Sequence, residues 1–110
     1  MSPKSTNPAP ASGQAHLETQ NDRILVHGPM TFQTVPALNQ LGQQFMQLQP
    51  IPKFIDLANV QHADSSALAL LLEWQAWAKQ QKHQFVLCNT PDSLHALGRV
   101  MGVDQLLNME

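Results

Sequence analysis

Two short apolar runs, Phe54-Ile55-Asp56-Leu57 and Phe85-Val86-Leu87-Cys88, flank a helical stretch from Ser65 to Lys82, and this arrangement constrains the fold most. Four-residue runs of β-branched and large apolar side chains read as buried strands. The stretch between them is too long for a strand and contains neither Gly nor Pro. A strand, a helix and a second strand joined by short links form a right-handed crossover, which makes the strands parallel. The chain therefore needs a sheet with helices packed on it.

The rest of the pattern extends this unit. Leu17 and Thr19, then Ile24, Leu25 and Val26, flank Asn21-Asp22, a hairpin turn, and Gly28-Pro29 stops the second strand. A helix is expected over 35–49, with Pro36 tolerated in its first turn and Leu38, Leu41, Phe45 and Leu48 at helical spacing. Pro50 and Pro52 end it. Thr90-Pro91-Asp92 reads as a helix start, with Thr90 as N-cap and Pro91 at the first helical position. That helix carries Leu94, Leu97 and Val100-Met101 up to Gly102, and a short turn over 104–109 closes the chain. The predicted fold is α/β, with a mostly parallel four-stranded sheet, an antiparallel edge and about four helices.

At 110 residues the chain has room for one domain. Residues 1–15 are rich in Pro, Ser and Ala, too poor in apolar surface to offset their ordering entropy, and are expected to be disordered, leaving 16–110 as the domain. They lack the apolar core of a signal peptide. The longest apolar run, Ala67 to Leu72, falls far short of the roughly 20 residues that span a bilayer. Both features imply a cytoplasmic protein without membrane insertion. A single cysteine, Cys88, rules out an internal disulfide. With a net charge of −2 and scattered Lys and Arg, the chain has no basic stripe to meet nucleic-acid phosphates. Charged residues are only 13% of the chain, and so lightly charged a surface favours association with partners.

The start of the long helix is the candidate functional site. Asp64, Ser65 and Ser66 are preferred N-cap residues, worth about 1 kcal/mol against Ala. A sharper reading has one hydroxyl capping while the other stays exposed. At about 100° per residue, Ala67, Leu68, Leu70, Leu71, Leu72, Trp74 and Trp77 cover an arc of roughly 220°, twice what one packing face needs. The sheet and a neighbouring helix absorb part of the excess. The remainder implies a partner-facing patch formed by Ser65, Leu68, Ala69, Leu72 and Ala76; the pattern leaves open which flank faces the sheet.

The segment Asp64-Ser65-Ser66-Ala67-Leu68 resembles the switch motif of STAS domains, the fold shared by bacterial anti-sigma-factor antagonists and the tails of sulfate transporters. The continuation Leu68-Ala69-Leu70-Leu71-Leu72, then Ala78-Lys79, is similar to the small STAS subunit of the Mla phospholipid transporter. This resemblance implies a non-catalytic accessory subunit that binds the ATPase of an ABC complex, together with its permease and substrate-binding subunits. The complex would lie at the inner membrane, with this chain on the cytoplasmic face, and would maintain outer-membrane lipid asymmetry. The alternative is an anti-sigma-factor antagonist switched by phosphorylation of Ser65, the residue directly after the Asp. A phosphate there would place about two negative charges in the docking surface. Anti-sigma antagonists usually carry an acidic Gly-Glu-x-Asp segment after the second strand, whereas Gly28-Pro29-Met30-Thr31 has no carboxylate. A nucleotide-binding role is a remote third reading, without a phosphate-cradling loop to support it.

Other constellations are weaker. His62-x-Asp64 and Cys88 lack the spacing of a structural zinc site, and His16, His27, His83 and His95 lie far apart in sequence. Asp92-Ser93-x-His95 superficially suggests a triad, but Ser93 and His95 do not face each other on one helix. No enzyme, metal or cofactor is expected.

Overall fold

The asparagine–aspartate turn fixes the first strand pair and the entry of the third strand. In the computed structural model, which describes residues 14–110, β1 (His16–Gln20) pairs antiparallel with β2 (Arg23–Met30). Asn21 takes the left-handed conformation, with φ 57°, that such a turn requires. The backbone carbonyl of Asp22 accepts from the N–H groups of Lys53 and Phe54, both at 3.0 Å, and so ties the turn to the start of β3 (Phe54–Ala63). The expected disorder of residues 1–13 falls outside the described residues. Gln14 and Ala15, grouped with that tail from sequence, lie against Gly28, and Ala15 packs on the core. Gly28 has φ +92°, and a Cβ there would come within 2.6 Å of the Gln14 carbonyl oxygen.

The order α1 (Val35–Phe45), β3, α2 (Ser65–Gln80), β4 (Val86–Cys88), α3 (Asp92–Val100), α4 (Asp104–Leu107) completes the chain. The sheet runs β1-β2-β3-β4, with β2, β3 and β4 parallel, as the crossover pattern predicted. Leu17, Ile24, Val26, Ile55, Leu57 and Leu87 share one face of the sheet. They form one apolar core with Leu38 of α1, Leu71 and Trp74 of α2, Leu94 of α3 and Leu107 of α4. Alternation along the strands puts His16, Glu18, His27, Phe54 and Asp56 on the opposite face.

Several boundaries differ from the sequence expectation. The first helix stops at Phe45, because Met46 turns into the core as the C-cap, leaving Leu48 42% exposed. The chain then returns through Pro50 and Pro52, which disfavour helical backbone before them. β3 is longer than Phe54–Leu57 because Asn59, Val60 and Ala63 continue the parallel pairing with His27, Gly28 and Met30 across two irregularities. Thr90 does not cap α3. Pro91 is the N-cap, with an extended ψ of 145°, so the helix begins one residue later than the hydroxyl could serve. The Thr90 Oγ1 is buried and has no hydrogen-bond partner among the described residues.

Candidate functional site

At the end of β3 the backbone N–H of Asp64 donates to Met30 O at 3.2 Å, bringing the last turn of the sheet beside the start of α1. Asp64 is extended and forms the N-cap of α2. One carboxylate oxygen accepts from the Ser66 N–H at 2.8 Å, the other from the Phe32 N–H at 3.2 Å. A single carboxylate thus satisfies an orphan donor of the helix and fastens the loop between β2 and α1 to it. Of the cap candidates Asp64, Ser65 and Ser66, Asp64 holds the N-cap position, and the expectation that a serine hydroxyl caps is corrected: the helix begins at Ser65, so both hydroxyls already lie inside its first turn.

Ser65 is the first helical residue. It is exposed, and among the described residues its hydroxyl has no hydrogen-bond partner. Ser66 is half-buried. Along the same flank Ala69 and Ala76 are exposed and Leu72 is half-buried, so the side chains placed together there are small and leave a flat surface. Leu68 does not belong to this surface. It is 1% exposed and joins the core with Ala67, Leu70, Leu71 and Trp74, since α2 is rotated so that the row containing Leu68 and Leu71 faces inward. That rotation settles which flank meets the sheet.

The loop contributes a residue that the sequence reading missed. Phe32 is 71% exposed, and its own N–H is the one held by Asp64. The buried hydroxyl of Thr34 donates to Pro29 O at 2.8 Å and accepts from the Thr31 N–H at 2.9 Å, which rigidifies the turn carrying Phe32. The ring is thus presented to solvent from a braced loop beside the start of α2. A lone Phe in a polar segment just after Gly28-Pro29 was the available signal.

On the other sheet face, Arg23 reaches Asp56 at 3.2 Å and Cys88 Sγ at 2.9 Å, while Asn89 Nδ2 donates to Asp56 at 2.9 Å. Burial pushes the Cys88 thiol up, Asp56 adds to this and Arg23 opposes it. The hydrogen bonds of this cluster tie β2 and β3 to Cys88 of β4 and to Asn89 just beyond it. His62 and Cys88 belong to no metal-type cluster among the described residues, and Asp92, Ser93 and His95 make no hydrogen bond to one another. His16, Glu18 and His27 do converge, with donor atoms within 4.8 Å of one another, despite their separation in sequence. The hairpin turn sets the register that pairs His16 with His27, so the convergence could have been read from the turn. Among the described residues no helix is long and apolar enough to cross a membrane.

A family profile described as "Mlab, STAS domain" matches residues 14–108. Among solved structures the chain is similar to the anti-sigma factor antagonist SpoIIAA in its unphosphorylated form. The TM-score is 0.58 at 14% identity, covering 77% of this chain and 81% of that one, a likeness that establishes the fold alone. No match was found among curated proteins.

Proposed function

The chain belongs to the STAS domain family, in the MlaB-type group whose profile spans it, and from that premise we propose that it is a non-catalytic accessory subunit of an ABC-type phospholipid transport complex. It binds the ATPase subunit on the cytoplasmic face of the inner membrane, through the exposed flank of α2 that begins at Ser65. The observation that carries this reading is the surface itself: Ser65, Ala69 and Ala76 in solvent, Leu72 half-buried, and Phe32 fastened beside them through Asp64. Small side chains let a partner's backbone approach closely, and the aromatic ring supplies an anchor of the kind that dominates binding energy. Asp64 remains a structural residue, and the hydroxyl of Ser65 lies at the centre of the contact.

The same exposed hydroxyl favours the second reading, an anti-sigma-factor antagonist switched by phosphorylation of Ser65. Against it stands the carboxylate-free segment Gly28-Pro29-Met30-Thr31 at the end of β2, which runs on through Gly28-Pro29 instead of stopping there; antagonists of that type usually carry acidic residues at this place. Affinity purification of the chain from native membranes distinguishes them. The transport reading predicts recovery of an ABC ATPase with its permease; recovery of a serine kinase without any ABC component would replace it by the second reading.

A further inference from the structure

We propose that His16, Glu18 and His27 form a binding site for a divalent first-row transition ion of the zinc class, which clamps the edge strand β1 to β2. The backbone brings these residues together. His16 and His27 are directly opposite in the antiparallel ladder, and Glu18 lies two residues further along β1, so all three project from one face. On the reverse face Leu17, opposite Val26, is 6% exposed and Val26 is fully buried, which prevents the register from slipping and carrying the donors apart. Gln14 and Ala15, seated against Gly28, hold the start of β1 in place.

The donor set suits the ion. Two imidazole nitrogens and one carboxylate oxygen are a common three-ligand complement for zinc, with the fourth position left for water. Magnesium and calcium prefer oxygen ligands throughout. All three donor atoms lie within 4.8 Å of one another, whereas tetrahedral zinc holds its ligands about 3.3 Å apart, so closure needs only side-chain motion. At present His27 Nε2 pairs with Glu18 Oε1, and the two imidazoles stack at 4.5 Å between ring centroids with planes 7° apart. Rotation of both rings about the Cβ–Cγ bond opens the stack and turns one nitrogen of each toward the ion. His16 also has an unmet requirement, because its Nδ1 is buried and has no hydrogen-bond partner among the described residues. Glu18 is exposed, which gives the ion an entry path from solvent. Because the ion bridges the two strands of the folded chain, it stabilises that chain by mass action.

The test is zinc titration of the untagged full chain by calorimetry, with cobalt(II) as a spectroscopic probe and magnesium as a control. One ion per chain should bind, giving a cobalt d–d band and a rise in melting temperature of several degrees; magnesium should give neither. His16→Ala and His27→Ala should each weaken zinc about tenfold or more, and Glu18→Gln should weaken it less, whereas His62→Ala should leave it unchanged. Should His16→Ala fail to fold, Glu18→Gln, which changes an exposed side chain, and His27→Ala, which changes a half-buried one, decide the matter. Absence of binding to the intact chain, or affinity retained by folded His27→Ala, would overturn the proposal.

Discussion

Along its inner flank α2 buries Ala67, Leu71, Trp74 and Ala78 and fastens its last turns with a polar clamp. Gln75 Nε2 donates to Phe85 O at 2.9 Å and Leu107 O at 2.7 Å, and its Oε1 accepts from the Phe85 N–H at 3.1 Å. Along the outer flank Ser65, Ala69 and Ala76 meet solvent without any polar tie of that kind. The same helix therefore carries two types of surface. The inner one is finished, with every group of the Gln75 amide turned to holding β4 and α4 in place. The outer one presents small side chains and the half-buried Leu72 beside the exposed Glu73, with no comparable clamp among the described residues, as the proposed contact with a partner requires. Aliphatic content alone does not separate the flanks; what separates them is whether polar groups at the margins are already satisfied.

Substitutions on the two flanks should differ in kind as well as size. Trp74→Ala should cost about 3–5 kcal/mol in urea unfolding, because the ring is 2% exposed and its Nε1 donates to Asn39 at 3.2 Å. A loss under 1 kcal/mol would mean that the inner flank is not the stable one. Gln75→Leu should cost about 2–4 kcal/mol, since it orphans the buried Phe85 N–H and Leu107 carbonyl, while Phe85 O keeps its bond from Asn108 Nδ2 at 2.8 Å. A stability equal to the parent would show the clamp to be dispensable.

Smaller effects sharpen the same contrast. Gly42→Ala ought to destabilise by about 1–2 kcal/mol despite the better helix propensity of Ala, because its Cβ would fall 2.4 Å from the Trp74 ring; thermal unfolding would report it. Asp64→Ala should lower stability by about 1 kcal/mol through loss of the cap. It should also release the Phe32 loop, visible as faster amide exchange at Phe32, whose N–H loses its acceptor. Unchanged exchange there would separate the loop from the helix cap.

The element order was legible in the sequence because strand runs, turn residues and helix periodicity all act locally. The crossover Phe54–Leu57, Ser65–Lys82, Phe85–Cys88 forced a parallel sheet, and Asn21-Asp22 marked the hairpin. What escaped reading depended on tertiary contact. Asn59 to Ala63 looks like a polar turn, yet the neighbouring strand β2 holds it extended. Leu68 and Leu72 both look like outer-flank residues on a helical projection, and only the rotation of α2 against the sheet buries the first more deeply. Thr90 has the right chemistry for a cap, but the extended Pro91 moves the helix start out of its reach. Ser65, Ala69 and Ala76 were named from sequence and are exposed, whereas Phe32 came to light only through its bond to Asp64.

The central claim, that the outer flank of α2 is the contact surface for an ATPase subunit, is tested most directly by co-purification with Ser65→Asp. An acidic residue in the first helical turn is compatible with the helix dipole, and Ser65 forms no cap, so stability should stay within about 0.5 kcal/mol of the parent. Binding should nevertheless be lost, because the partner would have to desolvate a new charge beside Asp64. Leu72→Asp should behave likewise once circular dichroism shows it folded, and Ser65→Ala should retain the partner. Loss of the ATPase from folded Ser65→Asp and Leu72→Asp, with retention by Ser65→Ala, is the predicted result; undiminished recovery by Ser65→Asp would contradict it and leave Asp64-Ser65-Ser66 as a helix start and nothing more.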